Sequence, residues 1–136
     1  MHKLDGLGIA ILRVTVGLIF VIHGLQKLFV VRFSGVAQML AGLGVPLPDL
    51  AAVALTLVEF LGGLLLMGGL FTRGAAVLLA IDMAVALIAV HLRNGFFLPG
   101  GFEYVLTLLA ANIALALSGP GAFALDRLVR RDRIFS

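Results

Sequence analysis

Hydrophobic residues fall along this chain in four runs, roughly 7 to 29, 50 to 69, 74 to 91 and 103 to 118, each long enough to cross a bilayer with modest tilt. The segments between them carry turn chemistry. GLGVPLPDL (42 to 50) places two glycines and two prolines ahead of the second run, with Asp49 as a candidate N-cap. GGLFTRG (68 to 74) reads as a tight turn with Thr72 as a cap, NGFFLPGG (94 to 101) as a Gly/Pro loop, and SGPG (118 to 121) as the end of the fourth run. The predicted fold is an all-α integral membrane four-helix bundle with short loops, made of a transmembrane domain over 1–119 and a basic tail over 120–136. The N-terminal MHKLDGLGIAILR resembles a secretory leader. Arg13 interrupts its apolar region and no small-residue cleavage site follows, so it reads as the start of the first span.

The polar residues inside these runs are not scattered. At about 100° per residue, Arg13, Gly17, Phe20, Gly24 and Lys27 share one stripe of the first span, with His23 at its edge. The second span aligns Ala52, Thr56, Glu59 and Gly63, and the third Ala75, Asp82, Ala86 and Ala89. The fourth runs from Glu103 through Thr107, Ala110 and Ala114. Ionisable groups within spans face a bundle interior or a wet cavity, because lipid exposure costs several kcal/mol, and small residues let helices approach closely. These stripes are therefore the expected inner faces. Asn112 lies about 180° from Glu103 and is expected to face outward, towards a neighbouring helix at the bundle edge or a second copy of the chain.

At about 1.5 Å per residue, Arg13 and Asp82 lie about 9 and 12 Å from one membrane face, which predicts a structural ion pair that glues helices together. From the other face, Glu59 lies about 13 Å deep and His23 about 9 Å, as natural partners with Lys27 above them. His23, Lys27, Glu59, His91 and Glu103 converge on that half. Five ionisable groups exceed what packing requires, so they are the ligand-binding candidates; no catalytic residue is assigned.

Composition narrows the function classes. Hydrophobic residues make up 62% of the chain and charged ones 12%, with a mean hydropathy of +1.19, far from the balance of a soluble domain. Four spans in 136 residues leave no room for a soluble catalytic domain. There is no cysteine, which excludes disulfides, thiolate metal sites and cysteine intermediates, so redox chemistry would need a borrowed centre. His23 and His91 differ in depth by about 9 Å, which argues against a b-type haem, and without HxxxH or ExxH spacing no metal site is expected.

The net charge of +3 speaks of orientation and anionic headgroups rather than nucleic acid. Lys3, Arg73, Arg127, Arg130, Arg131 and Arg133 gather at one end, against Lys27, Arg32 and Arg93 at the other, which predicts that both termini are cytoplasmic. The tail AFALDRLVRRDRIF then reads either as a solvated basic segment or as an interfacial amphipathic helix with Phe123 and Leu128 towards the bilayer.

Taken together, LRVTVGLIFVIHGLQKLF, LVEFLGGLLLMGGLFTRGAA, HLRNGFFLPGGFEY and LSGPGAFALDRL resemble the DoxX family of small four-helix membrane proteins of bacteria and archaea, over nearly the whole chain. Arg13, His23, Gly24, Lys27, Glu59, Gly63, Gly95, Phe96, Phe97 and Glu103 match that family's pattern. The resemblance implies an inner-membrane protein associated with respiratory or thiosulfate-to-quinone electron transfer and with oxidative-stress complexes. The expected function is a membrane subunit of a redox complex, with no cofactor of its own, that binds a quinone or similar headgroup in the outer-half pocket. Its expected partners are membrane lipid, an oxidoreductase subunit and a second copy of the chain through the Asn112 face. The alternative is a non-catalytic scaffold or small-solute conduit in which the charges only fix helix packing.

Overall fold

The computed structural model describes residues 3–134, with side-chain surroundings over residues 3–129. Helix α1, Lys3–Gln26, runs into a π-helical turn, Lys27–Val31; Arg32, at φ 65°, then redirects the chain into α2, Arg32–Gly42. Helix α3 is Pro48–Gly68, and α4, Thr72–Ala86, ends in a second π-helical turn, Leu87–His91. Helix α5 is Glu103–Ser118 and α6 is Leu125–Ile134. Among the described residues, the runs Lys3–Gly42, Pro48–Gly68 and Thr72–Asn94 are long and apolar enough to cross a membrane. Helix α5 is equally apolar but shorter, about 24 Å at the usual helical rise.

Helix α2 corrects the expectation of a loop after residue 29. Val36, Ala37 and Leu40 repeat at helical spacing, and that face packs on Ala52 and Leu55 of α3, while Ser34 and Gln38 stay exposed. Helix α3 starts with Pro48 in its first turn, where a missing N–H and fixed φ do no harm. Asp49 sits in that turn rather than at the cap.

Two glycines set a close helix contact. Helix α1 lies against α3 so closely that a Cβ on Gly17 would stand 2.7 Å from the Gly63 carbonyl, and one on Gly63 2.7 Å from that of Gly17. Side chains there would push the helices apart. Phe20, Leu66, Leu79 and Leu115 fill the core between α1, α3, α4 and α5.

Helix α5 presents the opposite face from the one expected. Val105, Leu108, Asn112 and Leu115 are buried, and Thr107, Ala110 and Ala114 are exposed. Asn112 is fully buried: its Nδ2 donates to the Leu108 carbonyl at 2.9 Å, one turn back on its own helix, while its Oδ1 is buried without a partner among the described residues. The expected subunit contact through Asn112 is therefore corrected, since its side chain is buried in the bundle. Glu103 misled the assignment. Its carboxylate turns back to accept the Leu98 N–H at 3.3 Å and braces the preceding loop.

The end of the bundle holding Arg13 is tied by backbone. Arg13 is 1% exposed and donates from Nη1 to the carbonyls of Pro120 (2.6 Å) and Ala122 (3.3 Å), and from Nη2 to that of Phe123 (3.3 Å). Ala122 N–H in turn reaches the Gly6 carbonyl at 3.0 Å. Asp126 of α6 accepts the N–H groups of Phe71 (2.7 Å) and Thr72 (3.0 Å), so the start of α4 is capped from α6 and not by Thr72. The expected Arg13–Asp82 ion pair is absent. Asp82 stands with Glu59 and Lys27 in the other half of the bundle, so the two do not share a depth; the carbonyls of the loop after α5 reach the guanidinium instead, and Asp126 is the carboxylate near it.

A polar cavity at the Lys27 end

At the other end the helices do not close on one another. A cavity of about 340 Å³ lies where α1, α3, α4 and α5 meet, with α2 along one side. Its polar lining is His23, Lys27, Glu59, Asp82, His91 and Tyr104. Phe20, Leu55, Met83 and Leu108 supply apolar wall. Four of the five ligand-binding candidates thus meet in one space. Glu103 is the exception, held in the loop brace described above.

Helix phase accounts for part of this convergence. Lys27 opens one π-helical turn and His91 closes the other. Such a turn inserts an extra residue into the helical register and re-aims the side chains after it, which is why π-turns recur at functional sites. A straight 3.6-residue helix would have placed His91 differently, whereas Lys27, at the start of its turn, keeps the phase of α1.

Lys27 forms an ion pair with Glu59, both side chains well covered at 20% and 4% exposure. Glu59 was expected to partner His23, and that pairing is corrected. The ammonium on its long stem reaches the carboxylate, while the His23 ring is held by its own helix, Nδ1 donating to the Ile19 carbonyl at 2.8 Å. A carbonyl can only accept, so Nδ1 carries the proton of that bond, and Nε2 is the ring nitrogen not used in it. His91 is anchored in the same manner, with Nδ1 3.2 Å from the Gly100 carbonyl. The Tyr104 ring lies 6.2 Å from that of His23, centroid to centroid.

Asp82 and Tyr104 are the cavity residues that the sequence reading missed. Asp82 lines the cavity beside Glu59 and Lys27. Its Oδ2 is buried without a partner among the described residues. The signal was available, since Asp82 and Glu59 both lie on inner stripes at mid-depth. Tyr104 follows Glu103, and the inverted face of α5 concealed it. Among the described residues, no group of three or more His, Cys, Asp or Glu side chains could hold a metal ion.

Comparisons with known proteins agree with this architecture. The DoxX family model matches residues 8–92, which includes Arg13, His23, Lys27, Glu59, Asp82 and His91. Of similar proteins, one in Bacillus subtilis (strain 168), named "Putative oxidoreductase CatD", is 37% identical over 98% of this chain and 95% of its own. The inner membrane protein YphA of Escherichia coli (strain K12) is 36% identical over 86% of each chain. The inner membrane protein YqjF of the same organism is 31% identical over 96% of this chain and 98% of its own. No solved structure matches the chain. The chain is a helical membrane protein and belongs to the DoxX family.

Proposed function

We propose that this protein is a subunit of a redox complex of the bacterial inner membrane and that its cavity binds a quinone or similar headgroup. The observation that carries the reading is the cavity itself. It combines a volume at the lower end of the range of small-molecule sites, about 300 to 1,000 Å³, with six converging polar side chains inside a membrane bundle. The names of CatD, YphA and YqjF support the redox class and the inner-membrane location. A quinone headgroup takes up two electrons and two protons at its carbonyl oxygens, with the electrons here coming from a partner oxidoreductase.

The chain's own groups have clear parts in this reading. Lys27 donates a hydrogen bond to one carbonyl oxygen of the quinone, and His23, anchored at Nδ1, offers Nε2 as acceptor to the hydroxyl that the reduced headgroup carries there. Glu59 and Asp82 form a carboxyl pair beside one ammonium, a cluster that is neutral when the two carboxyls share a single proton. That proton can pass to a neighbouring oxygen and be replaced. His91 and Tyr104 are within the same space for the other end of the ring.

Thermal denaturation of the purified protein with a short-chain ubiquinone analogue tests the reading. At a hundred times its dissociation constant a ligand adds about 2.7 kcal/mol of stability, so the melting temperature should rise. His23→Ala and Glu59→Gln should abolish the rise while the helical circular dichroism persists. No rise in the unmutated protein favours the scaffold reading.

Orientation belongs to the same proposal. By sequence, Lys3, Arg73, Arg127, Arg130, Arg131 and Arg133 belong to the Arg13 end and Lys27, Arg32 and Arg93 to the cavity end; this bias of six to three supports a reading with both termini in the cytoplasm and the cavity in the outer half. An impermeant maleimide should label Ser34→Cys in intact cells. It should not label Ser136→Cys, at a position outside the described residues.

A further inference from the structure

The cavity is not polar all round. Met39 and Leu43, on and after α2, and Val85 and Ala89, between Asp82 and His91 on the α4 side, also line it. Val85 is 56% exposed and Met39 48%, although both line the cavity. A residue can do both only at an opening. Helix α2 packs on α3 and hardly touches α4, so this opening is a gap between α2 and α4 with α3 as its floor. Val85 lies within the membrane-crossing run Thr72–Asn94, so the gap faces hydrocarbon.

We infer that the cavity is filled sideways from the bilayer by an amphiphile, its polar head against Lys27, Glu59 and Asp82 and its apolar tail leaving between α2 and α4. The inference rests on the reading of the cavity as a ligand site and adds the ligand class and route. The physical reason is continuity. One space runs from buried charges, which need a polar partner, to aliphatic side chains at the lipid surface, where water is absent and a hydrocarbon tail loses nothing by staying. A water-soluble ligand would have to cross that apolar mouth or the loop over residues 95–101, which is closed on itself by the Phe102 N–H to Gly95 carbonyl bond at 2.9 Å.

Two measurements test this and keep it separate from the quinone proposal. In liposomes containing a phospholipid with a diazirine in its acyl chain, irradiation should attach lipid to Tyr104 or Leu108 in the unmutated protein. Val85→Trp or Ala89→Trp should reduce that labelling at least fivefold. Adducts confined to outward-facing residues, or unchanged labelling in both folded tryptophan variants, would sink the lateral route whatever binds. In the second measurement, decylubiquinone should bind the unmutated protein at least tenfold more tightly than its tail-less parent benzoquinone. Ala89→Trp should remove most of that difference, and equal affinities for the two compounds overturn the tail assignment. If lipid labels the cavity but neither quinone binds, the lateral amphiphile site stands and the quinone reading fails.

Discussion

Arg13 and Lys27 sit on one stripe of one helical run, yet the protein treats the two cations in opposite ways. Arg13 is surrounded by fixed backbone carbonyls and packed until it is 1% exposed. Lys27 meets the carboxylate of Glu59, with a second carboxyl, two histidines and a tyrosine around the same empty volume. Carbonyls neither titrate nor move, so the Arg13 end suits a structural lock. Carboxylates and imidazoles exchange protons, so the Lys27 end suits chemistry. A buried charge in a membrane bundle is informative through the kind of partner it has, more than through its burial.

The largest expected effect is at the lock. Arg13→Met leaves the carbonyls of Pro120, Ala122 and Phe123 without their donor, each costing about 1 to 3 kcal/mol when buried and unpaired. The total should be about 3 to 5 kcal/mol in detergent unfolding. Because Arg13 and Asp82 do not pair, Arg13→Met with Asp82→Leu should give the sum of the two single effects to within about 0.5 kcal/mol. Recovery of stability in the double variant would restore the ion pair that the structure removes.

A smaller effect belongs to the cavity. Lys27→Met leaves Glu59 without its cation, but a carboxylate that borders a cavity can take up a proton or water. The loss should be about 2 kcal/mol, and a cycle with Glu59→Leu should show a coupling of about 1 to 3 kcal/mol. Ligand binding should disappear in every member of that cycle. A variant that keeps full quinone affinity without Lys27 or Glu59 would place the site elsewhere.

Much of this was legible in the sequence, for reasons that particular residues make clear. The inner stripes of α1 and α3 were readable because glycines and charges share a face, and Gly17 and Gly63 do meet. Helix α2 was hidden by the Gly/Pro segment that follows it, although Val36, Ala37 and Leu40 repeat at helical spacing. The face of α5 is hidden in the sequence by Glu103, because a carboxylate at a helix start can turn to its own loop rather than to the interior, as this one does. Depth counting on separate helices paired Arg13 with Asp82 because it has no access to how the helices slide along one another, and α4 carries Asp82 up to Glu59 and Lys27. Nor can any spacing argument foresee that loop carbonyls 107 to 110 residues away would satisfy the guanidinium. The π-helical turn ending at His91 departs from straight-helix phase inside the site, while the turn after Lys27 leaves Lys27 itself on the stripe of α1.

The smallest expected effect gives the sharpest test of whether the two ends are independent. Asp126 belongs to the lock: its two carboxylate oxygens accept the Phe71 and Thr72 N–H groups, and its charge acts on Arg13. Removing a capping carboxylate costs about 1 kcal/mol, so Asp126→Ala should lower stability by about that amount and Asp126→Asn by less, since one amide oxygen can still accept. Neither residue 126 nor the loop it ties lines the cavity, so quinone-analogue affinity should stay within twofold of the unmutated protein. A drop of fivefold or more in Asp126→Ala, with circular dichroism unchanged, would mean that the start of α4 transmits its position along the helix to Asp82 and His91. In that case the lock would set the geometry of the site as well as hold the fold, and the contrast between Arg13 and Lys27 would be one of partners alone.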